Sequence, residues 1–299
     1  MLIEDRRYAC PQAFRYERTS SGGLVPGETW PPPTDELKCL IIQLSIPITC
    51  LETVATSQPL PVMVYIHGGG FVLGHIDEQH NTAFMVEQSL VDSRPVIMAA
   101  IQYRLGALGY LHTPEAGHTN LALNDQRTAL RWIQKFIGGF GGDPQKVTAM
   151  GESAGAISIC SHMLSPPPTE GPLFQRAVLM SGTLNPMTMP ISIGEAEKTY
   201  ESLLNALGIT EQGEVGLEKL RHVPLQKLIE AAEDWNSSGG TWLTVKDDHF
   251  FGSNSRSLTW DRVPELLSNC DWVGEIMLGT TGFEVSYFAV NQIGSSFTD

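Results

Sequence analysis

Ser153 stands in the segment Gly151-Glu152-Ser153-Ala154-Gly155. The apolar run Val147–Met150 precedes it, and Ala156–Ser161 after it can continue as a helix. A serine hydroxyl is a weak nucleophile until a neighbouring base takes its proton. G-x-S-x-G between a strand and a helix makes a turn so tight that only tiny residues fit around the serine, hence Gly151 and Gly155. The turn lifts the serine Oγ clear of the sheet, beside the unpaired N–H groups of a helix N-terminus. That arrangement serves acyl transfer. A second segment, His67-Gly68-Gly69-Gly70, follows another apolar run. Glycines there let backbone N–H groups approach a substrate oxygen without side-chain interference, and each such donor is worth roughly 10²–10³ in rate.

The elements that must position these residues alternate between two periods. Val62–Ile66, Val96–Tyr103, Val147–Met150 and Ala177–Met180 are apolar runs with the length of buried strands, and Leu40–Ile46 is β-like. Thr82–Val91, Leu123–Ile137, Glu195–Leu207 and Leu225–Glu233 have helical spacing. Gly138-Gly139 stops the second of these helices. Thr49–Pro61 is expected as loop, and Trp272–Leu278 contains a last strand closing at Gly279. Strands alternating with helices predict an α/β fold, a mostly parallel sheet covered by helices on both faces. No repeat or linker divides the chain, so residues 1–299 are expected to form one domain.

Composition limits the function classes. Apolar residues make up 42% and charged residues 17%, within the range of soluble globular chains. A formal net charge of −14 argues against nucleic acid or an anionic membrane as partner. No apolar run reaches the ~18 residues of a membrane span. The start, Met1-Leu2-Ile3-Glu4-Asp5-Arg6-Arg7, lacks the apolar core of a signal peptide. Five cysteines leave at least one thiol free if pairing is internal. The sequon Asn236-Ser237-Ser238 decides nothing by itself.

The two glycine-rich segments have the form of the nucleophile elbow and the oxyanion loop of the α/β-hydrolases. Around them lies one long block: Asn124-Asp125-Gln126-Arg127, Ala129-Leu130-Arg131-Trp132-Ile133, Phe140-Gly141-Gly142-Asp143-Pro144, Val147-Thr148 and Gly151–Gly155. Phe174-Gln175-Arg176-Ala177 and Ser181-Gly182 follow it. From about residue 8 to about 290 the chain resembles the type-B carboxylesterases, a family that includes cholinesterases, fungal lipases and the adhesion protein neuroligin. It departs locally, with Ala122-Leu123-Asn124 before Asp125 and Phe136 where the family often has Asn.

The resemblance implies a serine carboxylic-ester hydrolase working through an acyl-enzyme on Ser153, with a small-molecule ester as substrate and no metal or organic cofactor. It implies an oxyanion hole from the N–H groups of Gly69, Gly70 and Ala154. Glu152 becomes a carboxylate beside the nucleophile; as an acid at a helix N-terminus it is favourable in any case. Glu284, in Gly279-Thr280-Thr281-Gly282-Phe283-Glu284, becomes the triad acid, although Val285 replaces the family's glycine. Cys10 and Cys39 match a disulfide pair whose closed loop is worth roughly 3 kcal/mol, with buried thiols the alternative in a reducing compartment. Trp30 lies nine residues before Cys39, near where cholinesterases hold choline; packing in a proline-rich loop is the plainer reading. Family resemblance points to secretion, against the uninformative N-terminus.

The expected chain order is Ser, acid, His. The eight histidines are at 67, 75, 80, 112, 118, 162, 222 and 249, and none follows Glu284. His249 is near the acid in sequence but not at the family's position. The expectation is therefore a truncated chain lacking the catalytic His, the last strand and the C-terminal helices. It would turn over slowly and expose an apolar sheet edge. A neuroligin-like binding module without catalysis is the rival; an intact Ser153 argues against it.

Overall fold

The computed structural model describes residues 8–14, 31–53, 58–76 and 80–281. Its strands are β1 Ile42–Ser45, β2 Leu60–Ile66, β3 Ile97–Ile101, β4 Gly142–Glu152, β5 Arg176–Met180 and β6 Glu275–Gly279. They form one sheet in the order β1-β3-β2-β4-β5-β6. β1 runs antiparallel to β3, and the other pairings are parallel. The helices are α1 Ile48–Thr53, α2 Thr82–Val91, α3 Gly106–Tyr110, α4 Leu121–Phe136, α5 Ala154–Met163, α6 Ile193–Ala206, α7 Gly213–Arg221, α8 Leu225–Ser237, α9 Asp248–Phe251 and α10 Val263–Ser268.

The near-continuous apolar strands follow from burial on both faces. Val62, Val64 and Ile66 of β2 face one core with Ala99, Val147, Ala149 and Leu179, where α4 and α5 also pack. The alternate residue Tyr65 faces a second, smaller core with Met98, Ala100, Met150 and Val86 of α2, and Met63 packs against it.

Two sequence expectations are corrected. The stretch expected as loop after residue 48 begins with α1, because Cys50 is buried and its thiol reaches the carbonyls of Phe140 and Gly141, pinning one helical turn to the sheet. α4 ends at Phe136, and the chain tightens into a 3₁₀ turn over Ile137–Phe140 before Gly141 reverses it with φ 83°. The short helices α3, α7, α9 and α10 had no periodic signature long enough to find.

The Cys10–Cys39 disulfide implied by the resemblance is present, with Cα atoms 4.8 Å apart. Cys50, Cys160 and Cys270 are free thiols. Burial pushes the Cys160 thiol pKa up to about 11, so it stays protonated. At the sheet's far side every residue of β6 is exposed, Met277 to 67% and Leu278 to 64%. An apolar strand at a sheet edge is a template for pairing. No helix among the described residues is long and apolar enough to cross a membrane.

Candidate active site

Parallel strands deliver their C-terminal loops to one edge of a sheet, the usual place for a site in such folds. Here Ile66 is level with Gly151, Glu152 with Met180, and Met180 with Gly279. Four loops therefore emerge side by side: His67–Gly74 after β2, Ser153 after β4, Ser181-Gly182 after β5 and Thr280-Thr281 after β6. Glu284 follows this last loop and lies outside the described residues, as does Trp30.

Ser153 sits between β4 and α5 with φ 52° and ψ −120°, a conformation that strains any residue with a β-carbon. The surrounding structure imposes it. The Ser153 N–H donates to the Met180 carbonyl at 2.9 Å, and its own carbonyl accepts from Ile157 N–H at 2.9 Å. Glycines close the turn from all sides. A β-carbon on Gly151 would stand 2.7 Å from the Gly155 carbonyl carbon, and one on Gly182 would stand 2.3 Å from the Ser153 carbonyl oxygen.

The loop after β2 lies against the elbow. A β-carbon on Gly68 would stand 3.2 Å from the Ser153 β-carbon. Gly69 takes φ 106°, where a β-carbon would collide with the Leu73 carbonyl oxygen at 2.1 Å. Ala154 begins α5, so its N–H belongs to the unpaired first turn. Gly68 thus lies against Ser153, with Gly69 and Gly70 next in the chain and Ala154 directly after the serine. Glu152 is exposed at the end of β4.

Several supporting residues escaped sequence reasoning. Tyr103 stacks on His67 with ring centroids 4.4 Å apart, and its hydroxyl donates to the His67 carbonyl at 2.7 Å. Complete burial pushes the Tyr103 pKa far up, so it remains a donor. Arg104 forks onto Asp125 of α4 at 2.8 and 2.7 Å. Asn120, in the left-handed conformation and fully buried, donates to the Val245 carbonyl and the Asp247 carboxylate and accepts from Val245 N–H. Buried polar types inside apolar segments were the available signal, but only the fold shows what they touch.

A buried chain of polar groups backs the elbow helix. Ser158 Oγ donates to the Ala154 carbonyl at 2.8 Å and accepts from Gln126 Nε2 at 3.2 Å. Gln126 Oε1 can only accept, so His162 donates from Nε2 at 3.0 Å; the tautomer is assigned from this network. Burial, assisted by the nearby Arg127 guanidinium, holds the His162 pKa well below its ordinary 6.5. In the unfolded chain this ring gains a proton as pH falls through about 6.5; in the folded chain it stays neutral. Its contribution is therefore complete above that pH and is lost below it at about 1.4 kcal/mol per pH unit. Urea midpoints of the wild type are expected to fall on going from about pH 7.5 to 5.5, with a smaller fall in His162→Gln. Equal falls in both would refute the assignment.

His162 is thus bound up in packing. His80 stacks on Tyr65 at 5.2 Å, His112 meets Thr119 at 2.9 Å, and His222 meets the Glu218 carbonyl at 2.8 Å. His249 is exposed on α9.

The sheet order, the crossover helices and the strained serine at the strand-to-helix turn define an α/β-hydrolase. Residues 5–298 match the carboxylesterase family, and the chain belongs to that family. It is 39% identical over 204 residues to the para-nitrobenzyl esterase of Bacillus subtilis (strain 168), covering 67% of this chain and 38% of that protein. It is 31% identical over 278 residues to secreted lipase 1 of Botryotinia fuckeliana (strain B05.10), covering 84% of this chain and 46% of that protein. A solved thermophilic PNB esterase superposes with a TM-score of 0.74 at 29% identity, over 94% of this chain and 53% of the other. The chain spans less than half the length of these two curated relatives.

Proposed function

We propose that residues 1–299, read as one domain, carry the acyl-forming part of a serine carboxylic-ester hydrolase. Ser153 attacks the ester carbonyl carbon. The carbonyl electrons move onto oxygen, and the N–H groups of Gly69, Gly70 and Ala154 stabilise that oxyanion. Collapse of the tetrahedral intermediate expels the alcohol and leaves an acyl-serine, which water then hydrolyses. Glu284 orients and stabilises the histidine that shuttles the proton in this mechanism class. Glu152 adds negative charge beside the α5 N-terminus, where the helix dipole favours it. The observation that carries the reading is the strained Ser153 turn with Gly68, the first glycine of the loop after β2, packed against it. The relatives named as esterase and lipase support an ester substrate, and a relative named as secreted supports an extracellular setting, in keeping with the disulfide.

The reading assigns no general base among the eight histidines of residues 1–299. Losing one triad member leaves roughly 10³–10⁴-fold acceleration over water, from the oxyanion hole and binding. The polypeptide 1–299 by itself is therefore expected to react with a fluorophosphonate far more slowly than a complete esterase. Joining it to the part of the Bacillus subtilis para-nitrobenzyl esterase outside the matched region is expected to give fast labelling that disappears in Ser153→Ala. A folded chimera whose labelling ignores Ser153→Ala would refute the nucleophile; labelling of 1–299 alone at the complete enzyme's rate would refute the unassigned base.

A further inference from the structure

We infer that Gln12 and Gln102 are positioning residues for the oxyanion hole, holding the His67–Ile76 loop to the disulfide-bonded N-terminal segment. This rests on the proposed ester-hydrolase function of the same site. The loop needs outside support, because Gly68, Gly69, Gly70 and Gly74 contribute no side chains and glycine backbones are permissive. Its start is held by the Tyr103 hydroxyl on the His67 carbonyl, and its middle by Gly106 N–H on the Phe71 carbonyl at 2.8 Å.

Its end is held by the two amides. Gln12 Oε1 accepts from Gly74 N–H at 2.9 Å while Gln12 Nε2 donates to the Gly74 carbonyl at 2.9 Å. One primary amide thus satisfies both backbone groups of one residue, which only Asn or Gln can do with a donor and an acceptor in one plane. Gln12 Nε2 also donates to the Cys10 carbonyl at 3.1 Å. Gln102 ties the loop to the N-terminal segment two residues on, by bridging between them. Its Oε1 accepts from Ile76 N–H at 3.0 Å, and its Nε2 donates to the carbonyls of Tyr8 at 2.8 Å and Cys39 at 2.5 Å. Both side chains are buried.

The clamp bears directly on the hole. Gly74 takes φ 121° and lies so close to the loop's start that a β-carbon there would stand 2.7 Å from the Gly68 carbonyl oxygen. Leu73 N–H and Val72 N–H close back onto the Gly69 carbonyl at 3.0 and 3.1 Å. Fixing Gly74 therefore fixes Gly68, which lies against Ser153, and Gly69 next to it. A shift of about 1 Å in such groups costs about 10²-fold in rate.

The test compares wild type, Gln12→Leu, Gln12→Asn, Gln102→Leu and Leu228→Ala, all as residues 1–299 with the disulfide intact. Leu228 lines the same cavity as Gln12 and Val72 but bonds to neither. The readouts are hydrolysis of p-nitrophenyl acetate above the buffer rate and amide hydrogen exchange across residues 73–76. Because residual catalysis without a base comes from the oxyanion hole and binding, the slow wild-type rate reports on the hole. Gln12→Leu is expected to lower kcat about 10²-fold with KM within about twofold, and to speed exchange at 73–76. Gln12→Asn, one methylene short, falls between, Gln102→Leu loses about 10-fold, and Leu228→Ala keeps its kcat. Should Gln12→Leu fail to fold, Gln12→Asn and Gln102→Leu decide by the same criteria. Unchanged kcat in folded glutamine variants overturns this inference alone. A folded wild type no faster than buffer overturns the proposed function, and this inference with it.

Discussion

Gly155→Ala is expected to destabilise the chain by more than about 4 kcal/mol, a large share of the roughly 5–15 kcal/mol that holds a domain folded. The added β-carbon would stand 2.1 Å from the Ile66 carbonyl oxygen and 2.8 Å from that of His67. Carbon contacts settle near 3.5–4.0 Å, so α5 would have to move away from β2 by more than about 1 Å. Neither side can yield. Ile66 is fully buried and pairs on both edges, to Ile101 and to Gly151. Gly194→Ala is the matched control. It lies in α6 with no atom near the new carbon, and exposed helix positions gain about 0.5–1 kcal/mol on replacing Gly by Ala. Urea unfolding of both variants checks the contrast, and a Gly155→Ala midpoint near that of the wild type would show that the elbow is looser than its packing indicates.

Ser153→Ala and Ser153→Gly are expected to be equally inactive and unequally stable. In the joined polypeptide described above, either change removes the oxygen proposed to attack the ester. Loss of a nucleophile costs about 10⁶ in kcat in the best measured serine hydrolase. Stability separates them. Ser153 holds φ 52° with a β-carbon present, which costs about 1–3 kcal/mol. Alanine keeps that strain; glycine releases it but loses about 0.5–1 kcal/mol to the greater freedom of the unfolded chain. The first effect wins, so Ser153→Gly should be about 1 kcal/mol more stable than Ser153→Ala by urea midpoint. Equal midpoints would mean that the turn is relaxed and that its conformation has no bearing on presenting the nucleophile.

Much of this was legible from local pattern. The residues that close the elbow are the smallest available, and they recur at fixed spacing because a strand-to-helix turn has one tight solution. The helical spacing of Thr82–Val91 matches the bounds of α2, and the structure adds the Asn81 side chain capping its first turn. α1 was missed because it owes its turn to Cys50 docking beneath Phe140 and Gly141, a contact across ninety residues of sequence. The short helices α3 and α9 are likewise held by contacts remote in sequence, too brief for periodicity to declare them.

The sequence by itself determined the α/β alternation, the tight serine turn and the glycine loop, because each is written within a few consecutive residues under steric rules that leave few alternatives. The tertiary structure alone decided which backbone groups the buried amide side chains reach. Gln12 reaches Gly74, Gln102 reaches Ile76 and Cys39, and Asn120 reaches Val245. A glutamine or asparagine in a sequence has donors and acceptors but no addressee. Its partner is set by which backbone groups the fold leaves buried and unpaired nearby, and that is a property of the assembled sheet and its loops.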